Sequence, residues 1–164
     1  MDGAKGDPGM DGVKGDVGPQ GLQGAKGDSG ISSDRTIFVF GTDQSLSKDH
    51  FMGQGTSSSD FSRNALIVPG NGMITSIYFS IREAVNNTNI VCTLWKQTGT
   101  GTGGIPASTS LFATIVDGMV EICGFNTGLV SISNCDLISV QLSWATGGAL
   151  NLGATATVTF EFDS

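Results

Sequence analysis

Glycine occupies every third position from Gly3 to Gly30 without interruption: Gly3, Gly6, Gly9, Gly12, Gly15, Gly18, Gly21, Gly24, Gly27 and Gly30. A flexible Gly-rich linker has no reason to keep such a register. A collagen triple helix does, because three polyproline-II-like chains meet at an axis where only a hydrogen atom fits as side chain. The repeat therefore predicts a rod-like stalk over residues 1–30 and a homotrimer along it. At roughly 3 Å rise per residue, the repeat would span on the order of 80–90 Å.

Only Pro8 and Pro19 preset the backbone of this segment. Charge is the expected substitute. Lys5-Gly6-Asp7, Lys14-Gly15-Asp16 and Lys26-Gly27-Asp28 each place Lys at Y and Asp at the following X. In staggered chains that spacing sets an ammonium beside a neighbouring carboxylate, about 0.2–1 kcal/mol for each exposed, salt-sensitive pair. A Lys-Gly-Asp tripeptide also suits an integrin-type ligand, but its repetition in one register favours interchain pairing.

The composition changes at Ile31. Residues 31–35 read as a linker and 36–164 as one head domain, opening on Thr36-Ile37-Phe38-Val39-Phe40. The period here is two, not 3.6. Ile138, Val140, Leu142 and Trp144 alternate with polar residues over Asp136–Trp144, as do Val158, Phe160 and Phe162 over Ala156–Phe162. Within Met73–Ile81, Ile77, Phe79 and Ile81 face one way, Tyr78 and Ser80 the other. Further strands are predicted at Ala65–Val68, Ile90–Lys96, Leu111–Ile115, Met119–Cys123 and Leu129–Ser133. Turn signals separate them, including Pro69-Gly70-Asn71-Gly72, Asp117-Gly118 and Gly147-Gly148. Gly41–Ser59 and Thr98–Gly104 read as polar surface loops. Eight or nine short strands indicate an all-β antiparallel sandwich, a jelly roll.

The strand at Ile90–Trp95 is apolar on both faces, so its second face needs a cover. A partner subunit would supply it, which makes Ile90, Cys92, Leu94 and Trp95 the candidate trimer interface. A long loop of the same chain is the alternative.

Several function classes find no support. The formal net charge is −7 with 14% charged residues, against nucleic-acid or anionic-membrane binding. No apolar run approaches the length that spans a bilayer, and the start carries no signal-peptide pattern. His50 is the single histidine, and neither a nucleophile elbow nor metal-ligand Cys spacing occurs. The Gly99-Thr100-Gly101 run lacks the context of a phosphate loop. No enzyme activity and no cofactor are expected. Cys92, Cys123 and Cys135 read as buried free thiols, with a Cys123–Cys135 bridge open. The head's dispersed carboxylates read as solvated loop ends, with calcium on a three-fold axis as the alternative. Asn86-Asn87-Thr88 matches a glycosylation sequon.

A Gly-X-Y stalk rich in Lys-Gly-Asp before a low-charge β domain resembles the collagen-like surface proteins of Bacillus-group spores. The head resembles theirs over Asn64–Ile77, where a strand, a Gly turn and an Ile-Thr-Ser strand follow one another; the Cys92–Lys96 strand with its Thr/Gly loop is similar too. The resemblance implies an exosporium filament ending in a trimeric jelly roll of the complement C1q and tumour necrosis factor kind. Phage and giant-virus fibres are similar in layout. The implied function is a structural surface fibre whose head starts trimerisation and forms the tip. The alternative is a receptor-binding tip recognising host glycan or protein. The implied location is the outside of a spore or virion.

Overall fold

The computed structural model describes residues 1–18, 20, 34–83, 88–99, 104–117 and 122–163. The chain divides into two units, Met1–Ile31 and Ser32–Ser164. In the first, residues 1–18 and 20 form neither helix nor strand and are exposed throughout. The second is the head.

Ten strands make up the described head: β1 (Arg35–Thr42), β2 (His50–Met52), β3 (Ser57–Ser58), β4 (Leu66–Ile67), β5 (Gly72–Ile81), β6 (Ile90–Gln97), β7 (Ala107–Ile115), β8 (Cys123–Ile132), β9 (Leu137–Trp144) and β10 (Ala154–Phe162). A 3₁₀ turn, Phe61–Arg63, lies between β3 and β4. Four strands form one sheet in the order β1-β10-β5-β8. The other is ordered β3-β2-β9-β6-β7, with β4 also paired to β9. All these ladders are antiparallel. The chain crosses between sheets after β1, β4, β5, β7, β8 and β9, which is the connectivity of a jelly-roll sandwich.

Alternation dictates which face of each sheet is buried. In β9, Ile138, Val140 and Leu142 are fully buried; in β6, so are Ile90, Cys92 and Leu94, opposite Trp144, Leu142 and Val140 in register. From the other sheet, Phe40, Ile74, Ile77, Phe79, Ala156, Val158 and Phe160 close the same core. The edges β7 and β8 run side by side, joined by a bond from Asn126 Nδ2 to the Phe112 carbonyl (2.7 Å). At the end of the sandwich away from Arg35, Gly153 adopts φ +76°, and a Cβ there would strike the Thr42 carbonyl; both conditions call for glycine.

Three expectations need correction. Gly41–Ser59 is not a surface loop. It holds β2 and β3 and buries Leu46, Phe51 and Met52. Strands of two or three residues are too short to show alternation, so polar neighbours hid them. β7 begins at Ala107, not Leu111, and β8 at Cys123, not Leu129. Small residues at Gly124 and Gly128 concealed the period in β8. Of the strand expected at Met119–Cys123, residues 119–121 lie outside the described residues, and Cys123 opens β8.

Candidate functional site: two outward faces and a cleft

The two sheets present different outward faces. Across the four-stranded sheet, Val39, Thr157, Tyr78 and Phe125 occupy one row in register, and Ile37, Thr159, Ser76 and Thr127 the next. The apolar members are open to solvent: Ile37 is 61% exposed, Phe125 68%, and Leu129, beside the β5–β8 bulge, 70%. The Tyr78 and Phe125 rings stack at 5.6 Å. Tyr78, Ser80, Cys123, Phe125 and Thr157 line a groove of about 380 Å³ on this face. The charges among these outward strand residues are Arg35 and Glu161, paired with each other at 2.6 Å where the chain enters β1. Single exposed apolar side chains are ordinary; here several share one face with uncharged Thr and Ser side chains.

The outward face of the six-stranded sheet is covered by its own chain around Trp95, while Phe112 of β7 stays 47% exposed. Trp95 points outward and meets Phe51 edge to face at 5.3 Å, and Phe51 meets Phe61 at 5.4 Å. Phe61 belongs to the 3₁₀ turn, whose start Asp60 caps by accepting from the Ser62 N–H (3.0 Å). Asn64 fixes the return of this segment: its Nδ2 donates to the Phe51 carbonyl (2.9 Å) and its Oδ1 accepts from Thr56 Oγ1 (2.8 Å). Ser139 Oγ donates to the Met52 carbonyl from below. The indole N–H of Trp95 is buried there without a hydrogen-bond partner.

This arrangement corrects the candidate interface. Ile90, Cys92 and Leu94 have no exposed surface, because the opposing sheet covers them. Trp95 lies on the other face under Phe51. Over Trp95, the second cover of β6 is thus a segment of the same chain. Sequence reasoning missed the residues that do stand open, Phe125 and Leu129. Their signal was present as outward apolar positions in β8, but the strand's length was not.

Of the residues expected to pair along a stalk, Lys5, Asp7, Lys14 and Asp16 are exposed in the single chain. Lys26, Asp28, Gly21, Gly24, Gly27 and Gly30 lie outside the described residues. A Cβ added at Gly3, Gly6, Gly9, Gly12, Gly15 or Gly18 would meet no atom within 4 Å.

The thiols also differ from expectation. Cys92 is buried, and burial pushes its thiol well above the ordinary range. Cys123 and Cys135 are exposed, and all three are free, so no bridge joins Cys123 to Cys135. Cys123 faces outward in β8, and Cys135 sits at φ +67° in the turn before β9. That turn is held by Asp136, which is 1% exposed. Its carboxylate pairs with Lys96 Nζ (2.8 Å) and accepts from the backbone N–H groups of Ser133 (2.8 Å) and Gly99 (3.1 Å). Burial raises its pKa; Lys96 and the two N–H groups outweigh that and hold it below the usual carboxylate value. Among the described residues, no group of three or more His, Cys, Asp or Glu side chains is placed to hold a metal ion.

At the end of the sandwich opposite Arg35, a cleft of about 700 Å³ opens beside the starts of β2 and β6 and the ends of β7 and β9. Lys48, Asp49, Asn89, Asp117 and Ser143 line it with Val91.

No protein-family model matches the sequence, and no curated protein matches it either. Similar solved structures include the globular domain of zebrafish complement 1qA protein, at 9% identity over 77% of this chain and 96% of that one, with a TM-score of 0.47. Another is Eiger TNF from S. frugiperda, at 11% identity over 78% and 94% of the two chains, with a TM-score of 0.44.

Proposed function

We propose that the chain is a non-enzymatic, homotrimeric surface-fibre protein, carried on the outside of a spore or virion. Its head assembles through the outward face of the four-stranded sheet and so brings three stalk segments together. The observation that carries this reading is the glycine repeat itself. At Gly3 through Gly18 no neighbouring atom crowds the Cβ position, and the positive-φ glycines of the described chain are Gly55, Gly147 and Gly153. Within one chain nothing calls for glycine at those repeat positions; the axis of a triple helix calls for it at each one.

The uncharged face supplies the complementary surface. β1, the strand that continues the polypeptide from the stalk side, is part of that same sheet and contributes Ile37 and Val39 to the face. Three heads held together would keep the stalk ends at high effective concentration, so the helix could zip from Gly30 toward Gly3.

Sedimentation of the full chain at micromolar concentration tests the proposal, with circular dichroism on the same sample. A three-chain mass and a collagen-type band that melts cooperatively are expected. A folded single-chain species, or a trimer without the band, would contradict it.

A further inference from the structure

We infer that the cleft at the far end of the sandwich is a binding site for a neutral saccharide. The inference concerns one head and stands whether or not three chains assemble. The cleft lies at the end of β6 and β9 away from Gln97 and Leu137, and the corresponding end of the other sheet holds Thr42 and Ala154. It is therefore opposite Arg35, where the chain enters its first strand.

Four separate segments build the cleft, and hydrogen bonds fix each of them. The Asp49 N–H donates to the Leu142 carbonyl, and Gln141 Nε2 donates to the Asp49 carbonyl, both at 2.9 Å. Thr88, 7% exposed, accepts the Ala145 N–H on its hydroxyl (3.2 Å). Asn89 Oδ1 accepts the Asp117 N–H (2.9 Å), so the Asn89 amide hydrogens are turned to donation. The walls are thus positioned before any ligand arrives, which lowers the ordering cost of binding.

The lining selects the ligand class. A free anion would find one ammonium, Lys48, among two carboxylates, Asp49 and Asp117. A metal ion would find no three-membered ligand group. A wholly apolar ligand would bury the Asn89 amide and the Ser143 hydroxyl without partners, at a cost. A saccharide satisfies the set: its hydroxyls donate to Asp49, Asp117 and Ser143 and accept from Asn89 and Lys48, while a C–H face meets the apolar atoms of Val91. A volume of about 700 Å³ falls within the range typical of small-molecule sites.

The test uses the full chain on an array of neutral and sialylated oligosaccharides, with inorganic phosphate as competitor. Retention of neutral oligosaccharides at millimolar affinity, unaffected by phosphate, is expected. Asn89→Ala should weaken it about tenfold, the loss of one hydrogen bond. Because Asn89 also holds the Asp117 N–H, Ser143→Tyr provides a second variant that fills the cleft and leaves those bonds in place; it should abolish retention without changing the melting temperature. No retention on the array, displacement by phosphate, or retention undiminished in Ser143→Tyr would overturn the inference. Sedimentation of the same samples reads the trimer separately, so failure of either proposal is seen apart from the other.

Discussion

Aromatic side chains on the two outward faces of the sandwich meet different surroundings. On the six-stranded sheet, Phe51, Phe61 and Trp95 form an edge-to-face cluster under the segment that Asn64 ties down. On the four-stranded sheet, Tyr78 and Phe125 stack in the open, flanked by Ile37 and Val39. An apolar side chain pointing outward is therefore not in itself an assembly contact. What separates the cases is whether the chain has length to spare for a cover, and here the spare length lies between β2 and β4.

The same substitution should have opposite consequences on the two faces, and this is the largest expected effect. Phe51→Asp places a carboxylate among rings with no partner for it and should destabilise the head by about 4 kcal/mol or more, close to unfolding a domain of ordinary stability. Phe125→Asp should leave a head with a nearly unchanged single-chain urea midpoint and convert the three-chain species to one chain. Unfolding by Phe125→Asp, or an intact trimer after it, would erase the distinction.

Next in size is the buried ion pair. Asp136→Ala leaves Lys96 Nζ with the Ser131 carbonyl but strands two backbone N–H groups, and should cost about 3 kcal/mol in urea denaturation. Because the folded-state pKa of Asp136 is depressed, its contribution is fully present above the unfolded value near 4. It is lost as the pH falls through the folded value. The acid-side loss of stability should shrink in Asp136→Ala, and an unchanged pH profile would count against the pair.

Leu94→Ala separates core from interface. As a core residue with no exposed surface, it should cost about 2–5 kcal/mol of head stability and leave the sedimenting mass unchanged as long as the head stays folded. Dissociation without destabilisation would return Leu94 to the interface. The smallest effect is expected from Trp95→Phe. It removes a buried N–H that has no partner and keeps an aromatic edge against Phe51, so a change of about 1 kcal/mol or less should be measured.

Much of this fold was legible because strands of eight to ten residues repeat a period of two often enough to be seen. β5, β6, β9 and β10 begin and end within two residues of their expected bounds. β2 and β3 were not legible, since two or three residues carry no period. The faces were legible only in part. The double apolarity of β6 was read correctly as a need for cover, but sequence cannot say whose chain covers it. That depends on Phe51 and Phe61 reaching Trp95 from a segment that looks like a polar loop. The thiols failed for a related reason: Cys123 and Cys135 lie beside apolar runs, yet one faces outward from a strand and the other caps a turn. The cleft was hidden altogether, because it joins residues from four distant segments.

The most direct measurement compares two exposed thiols in one molecule. Cys123 lies on the uncovered face beside Phe125, and Cys135 lies in a turn at the end of the sandwich. A thiol reagent should label Cys135 rapidly in the native full-length protein and Cys92 only in denaturant. Cys123 should be protected in the three-chain species and become as reactive as Cys135 in Phe125→Asp. Equal rapid labelling of Cys123 and Cys135, at a concentration where sedimentation shows three chains together, would contradict assembly through this face.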